Sequence, residues 1–490
     1  MGCGVFGVAS FSNQQIFPLL YWGLRAQNHR GHQSYGFITY NGNFHVHKGL
    51  HLVPTIRADD ASAWLNRLDG FVGISNVRYA TSGSVDKKSL EKNTQPMLVK
   101  SEDMSLAISF NGNIVNVGQL AEKYNYSCDS DAELLASLLF NFFKNERDLI
   151  SAIKVCMEEL EGAFSVIGIT YDGSLFAFKD PHGIRPLCAG LSSSETIKAF
   201  SSESVGLDIN SLEFSFEIQP GELVVAEKGG FQRIQLNTCC RRAFCAFEFA
   251  YFARPDSKLG NRYVYEVREN FGRNLARENP DIVEDADVVI SMPETGDDAA
   301  FGFHEETGVP WERASRRHRY IMERAFILLS RERHEVIDKK INILGPKVRD
   351  RKVVVIDDSI VRGDTTKAIV RKLKKMGAKK VFLLITFPKI TGPCFYGIDM
   401  ATYHELIGAN RDEEEIAQII GADAVRYQSV ERFAEATGLG KENLCFGCVT
   451  GEYPTPLAQK IAKEAREKFE KGFEERRRVY EVAEYLVKAR

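Results

Sequence analysis

The chain has 490 residues, enough for two or three domains at about 100–200 residues each. Hydrophobic residues make up 44% and charged residues 26%, the balance of a soluble globular protein, and the formal net charge of −3 gives no bulk attraction to nucleic acid or acidic membranes. No apolar run reaches the roughly 18 residues of a membrane span, the start MGCGVFGVASFSNQQ has no basic leader region, and Phe6 stands where a myristoylation motif wants Ser or Thr, so a cytoplasmic location with reduced cysteines is expected.

In chain order, the first half predicts short strands, turns and two helices. Phe71–Ser75 and Met104–Phe110 are apolar runs between Gly/Asn turns, as strands are. Asp131–Phe143 carries Leu134, Leu135, Leu138, Leu139 and Phe142 at helical spacing, and Ile150–Leu160 repeats the pattern. Ala163–Thr170 and Leu223–Ala226 read as buried strands. Cys156 and Cys188, among apolar neighbours, read as small core residues.

The character changes near residues 235–250. Val264–Glu278 reads as a helix, and Asp287–Ser291 and Lys352–Ile356 as apolar strands. A glycine turn, a helix over Thr366–Met376 and a strand over Lys380–Phe387 follow. Strand–helix–strand units of this length predict a parallel α/β sheet. The final segment, about Thr455–Arg490, places Leu457, Ile461, Ala465 and Phe469 on one face of a charged helix, packed on the body or on a sister subunit.

The most informative segment is VVVIDDSIVRGDTT, Val353–Thr366. An apolar strand ends in two carboxylates, Asp357 and Asp358, then a short loop with Gly363 leads into a helix opening at Thr365 or Thr366. Loop amides, threonine hydroxyls and the positive helix end make an anion cradle. The acid pair could hold ribose hydroxyls or a magnesium ion. The Gly-Lys-Ser/Thr ending of a P-loop is missing, and an ordinary turn with a surface acid pair is the bland alternative. The segment resembles the signature of type I phosphoribosyltransferases. That resemblance implies that Asp357 and Asp358 take the ribose and Mg²⁺, and that Ser359, Arg362, Gly363, Asp364, Thr365 and Thr366 take the 5′-phosphate.

Cys3 alone reads equally well as a packed strand residue. NHRGHQSYG (Asn28–Gly36), NVRYATSG (Asn76–Gly83), FNGNIVN (Phe110–Asn116), SDAE (Ser130–Glu133), KDPHGIRPL (Lys179–Leu187) and SSES (Ser201–Ser204) share the order and spacing of class II glutamine amidotransferases. The resemblance implies an α+β N-terminal-nucleophile hydrolase sandwich with αββα layering. It also implies that Cys3 attacks the glutamine amide with its own α-amine as base, and that Asn111 and the Gly112 amide form the oxyanion hole. Arg78 would take the substrate α-carboxylate and Asp131 its α-ammonium. Three departures stand out: Gly2 precedes Cys3, and Asn76 and Phe110 sit where that family usually has His. A mature chain beginning at Cys3 is therefore expected.

FCAFEFAYFARPDS (Phe244–Ser257), SMPETG (Ser291–Gly296), PCFYGID (Pro393–Asp399) and LCFGCVTGEYP (Leu444–Pro454) complete a resemblance to the amidophosphoribosyltransferase family over roughly residues 3–455. It implies a glutaminase domain (3–240), an α/β type I phosphoribosyltransferase domain with a parallel sheet (241–455) and a helical tail (456–490). Cys445 and Cys448 form a C-x-x-C pair able to reach one metal centre. By resemblance Cys245, Cys394, Cys445 and Cys448 bind a [4Fe–4S] cluster; zinc or a redox pair are the alternatives. Cys239 and Cys240 match no ligand position. The loop His318–Leu344 keeps Arg319, Tyr320, Arg324 and Phe326 of the family's closing loop, but has Glu323 for Gly, Ala325 for Thr and Leu329 for Pro.

The expected reaction is glutamine, phosphoribosyl pyrophosphate and water to 5-phosphoribosylamine, glutamate and pyrophosphate, the first step of purine synthesis. The alternatives are a diverged paralogue that uses ammonia or only binds and regulates, and a different class II amidotransferase. The acid-pair loop argues against the last. Resemblance further implies a homodimer or tetramer inhibited by purine nucleotides.

Overall fold

The computed structural model describes residues 2–79, 87–237, 241–318, 339–400 and 402–473. Two antiparallel sheets occupy the first half. One has seven strands with Gly4–Ser10 and Val72–Arg78 paired at its centre, and the other has six with Gly162–Thr170 and Leu175–Lys179 at its centre and Ser105–Ile114 beside them. Strand residues alternate faces, so each sheet buries two apolar sets. Val5, Ile74, Ile167, Ala177 and Val224 meet between the sheets. Outside one sheet, Phe6, Val8 and Phe37 pack on Phe17, Leu20 and Leu24 of helix Phe17–Arg25. Outside the other, Phe164 and Phe178 pack on Leu134, Leu138 and Ile153 of helices Asp131–Glu146 and Leu149–Glu159. This is the αββα layering expected.

The two long helices match their sequence periodicity to within a few residues. Ser130 caps the first through its hydroxyl, which accepts from the Glu133 amide at 3.3 Å. The expectation of only two helices in this half was too low. Helices Phe17–Arg25, Ala61–Arg67, Lys87–Lys92, Val117–Lys123 and Val205–Asp208 are also present, each too short for a clear periodic signal.

In the second half, Val288–Ser291, Lys352–Asp357, Lys380–Ile385 and Ala424–Tyr427 form a four-stranded parallel sheet in that spatial order. Val353 and Val355 enter one core and Val354 and Ile356 the other, which is why this strand is an unbroken apolar run. Helix Asp364–Lys375 begins earlier than expected, with Gly363 at φ +85° as its cap. Tail helix Pro456–Glu470 packs on the body through Ala458, Ile461, Ala462, Ala465 and Phe469; residues 474–490 lie outside the described residues.

The two halves share a core in which Tyr79, Ala163 and Ile184 touch the cluster around Phe244, Phe395 and Phe446. Several hydrogen bonds cross the seam; in two of them Asn113 Nδ2 donates to the Phe395 carbonyl and Arg185 Nε to the Tyr396 carbonyl, each at 2.9 Å. Among the described residues no helix is long and apolar enough to cross a membrane.

Candidate active site

The parallel sheet delivers its acids at the carboxyl end of a central strand, where open α/β sheets place ligands. Asp357, Asp358, Ser359, Arg362, Gly363, Asp364, Thr365 and Thr366 all line one cavity of about 580 Å³. The loop is therefore open to a ligand rather than buried. Asp358 is the better held acid: Ser359 Oγ donates to its Oδ2 at 2.6 Å and Thr295 Oγ1 to its Oδ1 at 2.5 Å. Asp357 Oδ1 accepts the Asp358 amide at 2.9 Å. Burial pushes both carboxyls up. The neighbouring Asp358 pushes Asp357 further, while the two hydroxyls and Arg268 pull Asp358 back. Arg362 donates from Nη2 to Glu405 at 3.1 Å. Thr366 is buried and Thr365 exposed at the helix start. Gly363 has φ +85°, a backbone conformation that favours glycine at the bend.

On the other side of the seam, Cys3 immediately precedes the central strand of the seven-stranded sheet, whose first residue Gly4 pairs with Val77. Its thiol donates to the Tyr79 carbonyl at 3.8 Å. Burial pushes the thiol up, Arg78 draws it down and Asp131 raises it, so the three groups form one electrostatic unit. Asp131 begins the helix capped by Ser130, which fixes it beside the strand ends. Asn111 and Gly112 lie in strand Ser105–Ile114, opposite Ser165 and Phe164. Asn111 is fully buried, and among the described residues neither its amide nitrogen nor its oxygen has a hydrogen-bond partner, which leaves both able to meet a ligand. A Cβ on Gly112 would sit 1.9 Å from the Ala163 carbonyl, so no other residue fits. Gly2 lies against Asn111; a Cβ there would be 3.0 Å from Asn111 Oδ1.

The two His-replacing residues are structural. Phe110 is buried in the apolar layer under the six-stranded sheet. Asn76 Nδ2 bonds to Ser109 Oγ at 3.1 Å and the Phe110 carbonyl at 3.2 Å, tying the two sheets together.

Cys245, Cys394, Cys445 and Cys448 come from segments remote in sequence, and they converge. Cys245 pairs with Cys445 in a short parallel ladder, Phe244–Cys245 with Leu444–Cys445. Burial, then the other thiols, pushes Cys448 up; burial also raises Cys245 to about 12. Tyr396 N donates to Cys394 Sγ at 3.4 Å, and Arg185 Nη1 lies 3.9 Å from Cys245 Sγ. All four are free thiols. Among the described residues, no three His, Cys, Asp or Glu side chains close tightly enough to hold a single ion as they stand.

Several site residues were not legible in sequence. Thr295 sits in the quoted SMPETG, but its hydroxyl is aimed at Asp358 only because Ser291 and Ile356 are paired in register. Tyr79 gives its carbonyl to Cys3 and its hydroxyl to Asp399 Oδ2, 3.2 Å away in the sugar-side cavity. Cys239, Cys240, the kept loop residues Arg319, Tyr320, Arg324 and Phe326 and the divergent Glu323, Ala325 and Leu329 lie outside the described residues.

Comparison with known proteins agrees with this geometry. Residues 82–208 match a glutamine amidotransferase domain family. The amidophosphoribosyltransferase of Methanocaldococcus jannaschii is 39% identical over 477 residues, covering 93% of this chain and 98% of the relative. That of Bacillus subtilis is 34% identical over 469 residues, covering 93% and 95%. Among solved structures, the glutamine phosphoribosylpyrophosphate amidotransferase of B. subtilis, complexed with ADP and GMP, superposes with a TM-score of 0.81 at 33% identity, covering 93% of this chain and 98% of that one. Open acid-pair loop, enclosed Cys3 and near full-length likeness agree: the chain belongs to the amidophosphoribosyltransferase family.

Proposed function

We propose that the chain hydrolyses glutamine at Cys3 and transfers the ammonia to phosphoribosyl pyrophosphate held by the Asp357–Thr366 loop. The products are 5-phosphoribosylamine, glutamate and pyrophosphate, in the opening step of purine synthesis. One observation carries this: the cavity lined by the acid-pair loop is also walled by Tyr79, whose carbonyl accepts the Cys3 thiol. A single residue thus borders both chemistries.

At the glutamine side, Arg78 and Asp131 pair with the substrate's α-carboxylate and α-ammonium. Cys3 Sγ attacks the side-chain amide carbon. The thiol is raised by burial, so it needs a base. An α-amine on Cys3 itself, with an ordinary pKa of about 7.7–8.0, fits that role once the residues before Cys3 are removed. Asn111 Nδ2 and the Gly112 N–H receive the oxyanion, and the released amine leaves as ammonia. Water then hydrolyses the thioester to glutamate. At the sugar side, Asp357 and Asp358 orient the ribose hydroxyls, and the loop from Ser359 to Thr366 cradles the 5′-phosphate. Ammonia displaces pyrophosphate at the anomeric carbon.

Two adjacent buried carboxyls, both raised by burial and Asp357 raised further by Asp358, fit a divalent cation, and Asp357 and Asp358 are the residues that would hold Mg²⁺. When bound, it neutralises the leaving pyrophosphate. Four converging thiols suit either a [4Fe–4S] cluster or zinc, and the family likeness favours the cluster. The cluster would tie strand Phe244–Cys245 to the segments at Cys394 and Cys445–Cys448. Iron-free, colourless protein purified without air would remove this assignment.

The ADP and GMP in the Bacillus structure support purine nucleotides as inhibitors here, and the family supports a cytoplasmic homo-oligomer. A coupled assay on anaerobically purified protein, with glutamine and ammonia side by side, tests the whole reading. Phosphoribosylamine from both sources is expected; none from either would overturn it. Intact mass of active protein should begin at Cys3.

A further inference from the structure

The loop after the acid pair is backed by the segment from Tyr403 to Ala409, and that segment is backed in turn by the tail helix. Toward the loop, the Ile407 amide donates to the Val361 carbonyl at 2.9 Å, and the Ile407 side chain shares the parallel-sheet core with Ile360. Glu405 ends the short helical turn Tyr403–Glu405 and accepts from Arg362 Nη2 at 3.1 Å. Among the described residues the buried Arg362 Nε has no hydrogen-bond partner, so the guanidinium is held from the Glu405 side. Arg362 itself lines the sugar-side cavity.

Toward the tail, the Tyr403 ring stacks on Phe469 with centres 5.3 Å apart, and the His404 ring meets the same Phe469 edge-on at 4.9 Å. Tyr403 Oη donates to the Ala462 carbonyl at 3.5 Å, and His404 Nε2 lies 3.0 Å from the Phe473 carbonyl. Arg466 Nη2 donates to Asn410 Oδ1 at 2.6 Å. Covering the core does not require these contacts, because Ala458, Ala462 and Ala465 already do that. Phe469 and Arg466 instead grip a turn whose opposite side carries the partner of a loop arginine. An arginine loses much rotamer freedom when it is fixed on an anion, and a side chain held in place beforehand loses less on binding. The Glu405 side chain is 41% exposed, so water screens its repulsion of a bound phosphate, and Arg362 offsets the rest.

We propose that Glu405 is a positioning residue for the 5′-phosphate of the sugar diphosphate. It presets Arg362 at the loop, and Phe469 of the tail helix sets the turn that carries Glu405. This rests on the reading that the loop from Ser359 to Thr366 holds that phosphate.

The test uses ammonia-driven phosphoribosylamine formation by the full-length, anaerobically purified protein. It is inhibited in turn by ribose 5-phosphate, which carries the 5′-phosphate, and by pyrophosphate, which does not. Glu405→Ala should raise the inhibition constant of ribose 5-phosphate about five-fold, the upper end for a part-exposed ion pair, and leave that of pyrophosphate unchanged. Glu405→Gln keeps an acceptor for Arg362 Nη2 and should stay within about two-fold of the wild type. Phe469→Ala should move the same constant in the same direction. Added to Glu405→Ala it should move it no further, as expected of two groups that act through one contact. If Phe469→Ala does not fold, His404→Ala removes the edge contact and the approach to the Phe473 carbonyl and takes its place. A merely structural role would move both inhibition constants together. Parallel changes for the two inhibitors, tighter ribose 5-phosphate binding in Glu405→Ala, equal loss in Glu405→Ala and Glu405→Gln, or full additivity with Phe469→Ala would overturn the proposal. A wild type without ammonia-driven synthesis, or one that ribose 5-phosphate does not inhibit, removes the loop reading itself. Inhibition that Glu405→Ala leaves unchanged removes the positioning role alone.

Discussion

The glutamine side and the sugar side of this molecule are built on opposite plans. Around Cys3, the functional groups stand on registered antiparallel strands and a capped helix, and nearly every atom is enclosed. Around Asp358, they stand on a loop between a parallel strand and a helix start, open to a cavity of about 580 Å³. The first plan suits a reaction in which fixed donors must meet a developing oxyanion. The second suits a large, highly charged substrate that has to enter and leave.

If the plans are separable, single substitutions should split the two activities, and the largest effects come first. Cys3→Ala should abolish glutamine-driven synthesis and leave ammonia-driven synthesis. Asp358→Ala should abolish phosphoribosyl transfer from either source, while glutamine hydrolysis measured without the sugar diphosphate remains. Loss of both activities in either variant would break the comparison.

Asn111→Ala sharpens it. Removing one oxyanion donor should cut kcat for glutamine hydrolysis by about 10²–10³. Among the described residues the Asn111 amide has no hydrogen-bond partner, so the melting temperature should hardly change. Thr295→Val removes one hydroxyl from Asp358 and should weaken sugar-diphosphate binding roughly ten-fold, read as KM in the ammonia assay, with glutamine hydrolysis alone untouched.

The last effect concerns the seam rather than either site. Burial would raise the Glu203 carboxyl, but His29 and Arg30 outweigh it and hold the group well below its ordinary value of 4.5. A depressed folded value means that its stabilisation is complete above about pH 4.5 and fades as pH falls further. Glu203→Gln should therefore cost about 3–5 kcal/mol at pH 7 and less near pH 3.5, measured as denaturant midpoints at the two pH values.

Much of the sugar side could be read from sequence because it is local. Val353 to Thr366 contains the strand, both acids, the bend and the helix start in one stretch, and strand and helix periodicity place them without help from the rest of the chain. The helix start was misplaced only because the cap is a left-handed glycine, a feature of φ rather than of residue pattern. The glutamine side was legible through resemblance of motifs, since Cys3 alone could equally be a core cysteine. Phe110 shows the limit of that approach: it departs from the family's usual residue and is buried in an apolar layer.

By itself, then, the sequence determined the element types, the anion cradle and the family. Tertiary structure alone decided which groups meet across the seam: Tyr79 with Asp399, Arg30 with Glu203 and Glu248, and the four cysteines with one another. Periodicity records which face of an element is apolar, not which distant element will cover it. Those partners are chosen when sheets and helices stack, and a bond spanning 173 or 320 residues leaves no local trace.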